Sequence, residues 1–385
     1  MPDLDGAADT EVLLPRVVVT MRARMDRMVD DLRLLVEQES PSEDLDAIAR
    51  CARTVAELGT EHLGWAPERC MLEGRTHLIW RTPGPVQVIL LGHLDTVWPV
   101  GTLVGRPFQL VDGRATGPGC FDMKAGLVQM FHALSVVPDL SGVTVLITSD
   151  EEVGSLSSRP LIEREAAGVR AALVLEPSSG GALKTERKGT ALYRLNVTGI
   201  AAHAGLEPER GANAAVELAH QIIAVDALTA PGDATTAVPT VFEGGTAANT
   251  VPDTASLAID VRAPSVESQL RLERELSNLT PTIEGTSVVV RKVHSRPPLS
   301  AEASRDLFEE AAGLMEMLGL PPLEQTAVGG GSDGNITAGI GVRTLDGLGA
   351  VGDGAHAGHE YVEVAAMPDR AALLAMLVAR LLRRS

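Results

Sequence analysis

Three apolar runs constrain this chain more than any other feature: Val86–Leu91, Val143–Thr148 and Ala171–Leu175. A strand with one wet face alternates apolar and polar residues. A nearly continuous run needs cover on both faces, as in a parallel sheet with helices on either side. Each run also stops abruptly at metal-binding side chains: His93 and Asp95 after the first, Asp150, Glu151 and Glu152 after the second, Glu176 after the third. Ligands of such sheets collect at the carboxyl ends of the strands. A carboxylate taken out of water there is costly unless it is paired or bound to a cation. Three neighbouring strand ends carrying an imidazole and several acids therefore point to divalent metal.

At 385 residues the chain exceeds one ordinary core, so two domains are expected. Helical periodicity runs from Met21 to Glu37 and from Asp44 to Leu58, and a further helix opens over Gly126–Leu134 among the apolar strands. From Lys188 to about His294 the texture changes to strand, helix, strand, strand, helix, strand: Ala191–Thr198, Gly211–Val225, Thr235–Phe242, Ser256–Val261, Val266–Leu279 and Ser287–Val293. Alternation of Tyr193, Leu195 and Val197 fits a sheet covered on one face. After Pro297-Pro298 the first texture returns, with a helix over Ser304–Leu318, a glycine-rich turn, a strand near Gly341–Asp346 and a last helix over Met367–Leu382. The expected organisation is a discontinuous α/β domain, 1–187 and 296–385, with a helix-covered, mostly parallel sheet. An α+β unit, 188–295, is inserted in it.

The formal charge of −18, from 51 acidic against 33 basic residues, opposes binding to nucleic acid or an anionic membrane. Three irregularly spaced cysteines, Cys51, Cys70 and Cys120, read as free thiols. The first twenty residues hold Asp3, Asp5, Asp9 and Glu11 before the short runs Val12–Leu14 and Val17–Val19, unlike a signal peptide, and no apolar run reaches spanning length. A cytoplasmic protein is expected, in which the Asn196-Val197-Thr198 sequon is simply part of a strand.

Two further donors complete a metal set. Asp122 stands in the tight turn Gly117-Pro118-Gly119-Cys120-Phe121-Asp122-Met123-Lys124 before a helix, and His356 lies in Gly354-Ala355-His356-Ala357-Gly358-His359-Glu360. Five donors exceed what one tetrahedral zinc takes. Two zincs would use His93 and Glu176 on one, Glu152 and His356 on the other, with Asp122 between them; two dications against three carboxylates and a hydroxide come close to neutral. Cobalt or manganese would suit the same donors. A water shared by two metals becomes a nucleophile near neutral pH. Glu151, pointing away from Glu152 on an extended segment, is then the general base. Asp95 accepts the His93 N–H and fixes its tautomer.

These motifs, Gly-His-Leu-Asp-Thr-Val at 92–97, Asp122-Met-Lys, Asp150-Glu-Glu-Val-Gly-Ser, Glu176-Pro, Ala202-His203-Ala204-Gly205 and the His356–Glu360 segment, resemble the dizinc family of glutamate carboxypeptidases, aminoacylases, acetylornithine deacetylases and succinyl-diaminopimelate desuccinylases. The resemblance implies a zinc exopeptidase-like catalytic domain, a ferredoxin-like lid that forms a homodimer, and a cis peptide after Asp122. Glu176, the Gly329-Gly330-Gly331-Ser332 segment, the run to Pro252 and Arg296-Pro297 are similar to the glutamate carboxypeptidase branch. By that resemblance Arg296 grips the terminal carboxylate of a small amide or peptide substrate, and Gly330, Gly331 and Ser332 line its site. His203 and Asn249 reach a neighbouring subunit's centre, where either can donate to an oxyanion. The implied reaction is amide hydrolysis releasing a C-terminal amino acid. An N-acyl-amino-acid deacylase with the same machinery, and a non-catalytic metal-binding dimer, are the alternatives.

Overall fold

The computed structural model of the protein describes residues 16–383, so the acidic stretch 1–15, read above as unlike a signal peptide, lies outside them. The chain divides into two compact units. The first takes the residues up to Glu186, Leu299–Val328 and Ser332 onward; the second takes Arg187–Pro298 and Gly329–Gly331.

The first unit is built on a six-stranded sheet, in the order Glu68–Leu72, Arg75–Arg81, Val143–Thr148, Val88–His93, Ala171–Val174, Thr344–Leu345. The last four strands are parallel, so the three apolar runs are neighbours with their carboxyl ends on one edge. His93 is paired with Thr148, and Leu91 with Val174, which brings the three metal-binding segments to the same level. Alternate residues of one strand enter opposite cores. Val88 and Leu90 pack with Leu32, Ile48, Phe131 and Leu374 from helices Met25–Val36, Leu45–Leu63, Ala125–Leu134 and Met367–Leu382. Ile89 and Leu91 pack with Leu161, Ile162 and Ile336 on the other face. Double cover explains why these strands carry no polar alternation.

The edge hairpin Glu68–Arg81 was not anticipated. Its strands are joined by Glu73 and Gly74, both at positive φ, as a two-residue hairpin turn requires. A second, four-stranded antiparallel sheet was also missed: Gly352–Asp353, Tyr361–Glu363, Arg114–Thr116, Gln109–Val111. Its strands are two or three residues long and too short to show a period, yet it sets the site. The Asp122 turn leaves Arg114–Thr116, and the His356 loop joins the two strands at the other end. The strand expected over Gly341–Asp346 shrinks to Thr344–Leu345, and a short helix, Asp333–Gly339, takes part of the supposed glycine turn.

The second unit has four antiparallel strands in the order Thr236–Gly244, Thr254–Ala263, Gly189–Thr198, Ser287–Arg296 with helices Ala214–Asp226 and Val266–Ser277. This is the ferredoxin-like arrangement. Tyr193, Leu195 and Val197 are buried, as their alternation requires. No helix among the described residues is long and apolar enough to cross a membrane.

Candidate metal centre

All five expected donors belong to the first unit and converge. His93 ends its strand with Nε2 3.3 Å from Asp122 Oδ1 and 3.5 Å from Glu176 Oε1. His356 Nε2 lies 3.0 Å from Glu152 Oε2 and 3.5 Å from Asp122 Oδ2. One Asp122 oxygen thus faces each imidazole. Donor atoms of His93, Asp122 and Glu152, and of His93, Glu151 and Glu176, lie within 4.8 Å of one another. The Asp122–Met123 peptide is cis, as the resemblance implied. His356 adopts φ 61°, a left-handed conformation that costs a non-glycine residue about 1–2 kcal/mol.

The cluster carries more negative charge than its imidazoles can balance. Burial, the largest influence on His93, favours its neutral form, but hydrogen bonds to Asp122, Asp95 and Glu176 outweigh it and hold the imidazole well above its ordinary range. Hydrogen bonds to Asp122 and Glu152 raise His356 to about 10. Burial pushes Glu152 up to about 7. Asp122 is held low: burial would raise it, but both imidazoles outweigh burial. Without metal, the site draws in protons to balance its carboxylates. Dications on the same nitrogens and oxygens would supply that charge instead, so carboxylates and imidazoles in this arrangement fit divalent metal.

Supporting contacts differ from the expectation in two places. His93 Nδ1 makes its shorter contact, 3.0 Å, with the main-chain oxygen of Asp95, while the Asp95 carboxylate stands 3.5 Å away. That carboxylate also accepts from the Ser42 hydroxyl at 2.7 Å and from the backbone N–H groups of Glu151 and Glu152. Asp95 therefore steadies the acidic segment as well as the imidazole. Glu151–Val153 is a 3-10 turn rather than an extended segment, because Gly154 follows in the left-handed conformation and closes the turn. With three residues per turn, Glu151 and Glu152 still diverge, by about a third of a revolution. Glu151 is buried beside His93 and Glu176.

Sequence reasoning missed Glu360. Its side chain is fully buried, with Oε1 accepting from the N–H groups of Phe121 (3.0 Å) and Asp122 (3.1 Å), and Oε2 from the Gly119 N–H and Trp98 Nε1, both at 3.0 Å. The signal was its place at the end of the His356–Glu360 motif, to which no role was assigned.

Ser332, expected beside substrate, is fully buried and caps helix Asp333–Gly339, its hydroxyl oxygen accepting from the Gly334 N–H at 3.1 Å. The serine belongs to a capping box with Asn335, which a reading for ligand-binding glycines overlooks.

The other expected contacts lie on the second unit. His203 is exposed and pairs with Thr250 in a two-residue ladder; Ala204 N–H donates to Asn249 O at 2.9 Å, so His203 and Asn249 are neighbours. His203 Nδ1 accepts from the Gly205 N–H at 3.1 Å, which in the neutral ring leaves the proton on Nε2. Arg296 ends its strand opposite Thr190 and is 7% exposed. A Cβ on Gly331 would meet Thr190 Cγ2 at 3.0 Å and Arg296 Cδ at 3.6 Å, so glycine lets that backbone lie close. Gly330 O accepts from Arg187 at 3.0 Å.

A second group in the first unit has similar composition. Asp31 Oδ2 meets His62 Nε2 at 2.9 Å and His132 Nε2 at 2.8 Å, while Arg27 Nε donates to Oδ1 at 2.9 Å. His132 Nδ1 is buried with no hydrogen-bond partner. A metal on Nε2 would put a proton on that nitrogen with nothing to accept it, and would sit beside the Arg27 cation. This group is a hydrogen-bonded knot.

Comparison with known proteins finds relatives over most of the chain. A family model described as peptidase family M20/M25/M40 matches residues 89–380. The chain is 30% identical over 393 residues to carboxypeptidase G2 of Pseudomonas sp. (strain RS-16), covering 96% of this chain and 94% of that one. It is 28% identical over 290 residues to a succinyl-diaminopimelate desuccinylase of Wolinella succinogenes, covering 71% and 78%. The solved structure of aminopeptidase PepT from Bacillus cereus ATCC 10987 shares the fold, with TM-score 0.71 and 24% identity over 93% of this chain and 99% of that chain.

Proposed function

Because the chain belongs to peptidase family M20/M25/M40, a family of metal-dependent hydrolases, we propose that this enzyme cleaves an amide bond to release a C-terminal amino acid, in the manner of a glutamate carboxypeptidase. The observation that carries the reading is Asp122 standing between the His93–Glu176 and His356–Glu152 pairs, one oxygen toward each. His93, Glu176 and Asp122 would hold one divalent metal, zinc in the first instance, and Glu152, His356 and Asp122 a second. When bound, such metals polarise a carbonyl and acidify a water.

The chain's own residues supply the rest. Glu151 takes the proton of the attacking water and returns it to the leaving nitrogen. Asp95 holds His93 with Nδ1 protonated, leaving Nε2 to bind metal. Arg296 offers a planar fork to the substrate's terminal carboxylate beside the close-lying Gly331, with Gly330 in the same segment. The Nε2–H of His203 would donate to the carbonyl oxygen at a neighbouring subunit's centre as charge develops there, with Asn249 as its neighbour. Apolar side chains on the second unit support a homodimer through it: Phe242 on the edge strand is 69% exposed and Ile223 on helix Ala214–Asp226 is 70% exposed. Likeness to a desuccinylase favours a second reading, deacylation of an N-acyl amino acid at the same site.

Mass spectrometry of a panel of N-acyl amino acids, dipeptides and N-acylglutamates, incubated with zinc-loaded enzyme, separates the two. Release of glutamate from the larger acyl donors supports the first reading. Cleavage confined to simple N-acyl groups supports the second, and no turnover of any amide would overturn both.

A further inference from the structure

We propose that Glu360 is the positioning residue that locks the Asp122 turn to the His356 loop, and so sets the affinity of the metal those two residues share. The proposal rests on the two-metal reading given above. Glu360 is neither a donor to that cluster nor close to a reacting atom; it acts through backbone.

Four N–H groups converge on its carboxylate. Three belong to the turn that carries Asp122, namely those of Gly119, Phe121 and Asp122 itself, and the fourth is the indole of Trp98. Arg106 approaches Oε2 at 3.9 Å and stacks over the Trp98 ring, its guanidinium carbon 4.2 Å from the centroid, adding charge compensation from outside. On its own side Glu360 closes the loop that holds His356: its N–H donates to Ala357 O at 3.0 Å, and Ala357 N–H donates to Gly354 O at 2.8 Å. Tyr361, the next residue, pairs with Thr116 just before the Asp122 turn. The two loops thus spring from paired strands and are pinned together again by a single carboxylate at the base of the His356 loop. His93, Glu176 and Glu152 follow strands of the main sheet instead, so this pin sets two of the three residues that would hold the metal on Glu152 and His356, and only Asp122 of those for the other.

The chemistry of the pin makes the test selective. A carboxylate presents two oxygens, each accepting two N–H donors. Glutamine has the same shape, but in either orientation its NH2 group faces two donors. Glu360→Gln therefore keeps the volume and breaks the pin, whereas Glu360→Asp keeps the charge and shortens the reach. Metal-stripped full-length protein is titrated with Zn2+ against a chromogenic chelator, with circular dichroism of each metal-free variant as a control for folding. Wild type is expected to take up two equivalents. In Glu360→Gln the weaker equivalent should lose about 10- to 100-fold in affinity, as for other residues that orient metal ligands from behind. The tighter equivalent should stay within about threefold, excess metal should restore most turnover, and Glu360→Asp should fall between. Unchanged affinities in Glu360→Gln, or equal weakening of both equivalents alongside loss of metal-free structure in both variants, would overturn the positioning role. Uptake of only one equivalent by wild type would instead sink the two-metal reading beneath it.

Discussion

Two clusters of acids and histidines in the first unit have nearly the same ingredients and opposite electrostatics. In the Asp31 knot, one carboxylate receives two imidazole N–H groups and the Arg27 guanidinium, so its charge is met inside the protein. Around Asp122, two imidazoles face three carboxylates, with Glu151 and Asp95 close behind. The first cluster is balanced and ties helices together; the second is short of positive charge and suited to cations. Residue type alone does not separate them. The count of charges does, together with whether each imidazole's remote nitrogen has a partner: His93 Nδ1 meets Asp95, and His132 Nδ1 meets nothing.

The largest effect should come from the reacting face of the unbalanced cluster. Glu151→Gln leaves the five metal donors in place and removes the proton acceptor, so kcat should fall about 1,000-fold while metal content by mass spectrometry stays at the wild-type value. A variant that kept most of its activity would reduce Glu151 to a bystander. Next, Arg296→Met should raise KM for carboxylate-bearing substrates by about 10- to 100-fold, the value of a charge-assisted hydrogen bond or two, and should leave kcat for an uncharged amide unchanged. Equal losses on both substrates would remove its carboxylate role.

The balanced cluster should respond in stability and not in chemistry. Asp31→Asn weakens the hydrogen bonds from His62 and His132, while Arg27 keeps its ion pair with Glu61; it should cost about 1–2 kcal/mol in denaturant melts, with metal uptake and activity per folded molecule intact. Its pH dependence has a definite sign. Burial would raise the Asp31 carboxyl, but hydrogen bonds from His132 and His62 and the charge of Arg27 outweigh burial and hold it below its ordinary range. The stabilisation is therefore full above the unfolded-state value, about pH 4, and is lost as pH falls further, so the gap between wild type and Asp31→Asn should close in acid. A gap that widened in acid would contradict the knot as described.

How much of this was legible in the sequence follows from the range of each contact. His93, Glu152 and Glu176 stand where apolar runs stop, and burial of both sheet faces makes that pattern local and readable. Asp122 and His356 announce themselves only through their motifs, since no period leads up to them. Glu360 closes the same motif as His356, but its role was unreadable because its partners, Gly119 to Asp122, join it through pairing of three-residue strands far apart in the chain. Asp31, His62 and His132 sit on three different helices, where one polar residue on an apolar face gives no sign of converging with others. For Ser332 the glycines beside it suggested a ligand loop, and its capping of the helix behind it went unread.

The most direct test of the charge argument is the metal content of reconstituted protein, measured as equivalents per chain for wild type, Asp122→Ala and Asp31→Ala. Two equivalents in wild type, at most one in Asp122→Ala and two in Asp31→Ala are predicted. An equivalent lost from Asp31→Ala, or none lost from Asp122→Ala, would contradict the assignment of metal to the unbalanced cluster.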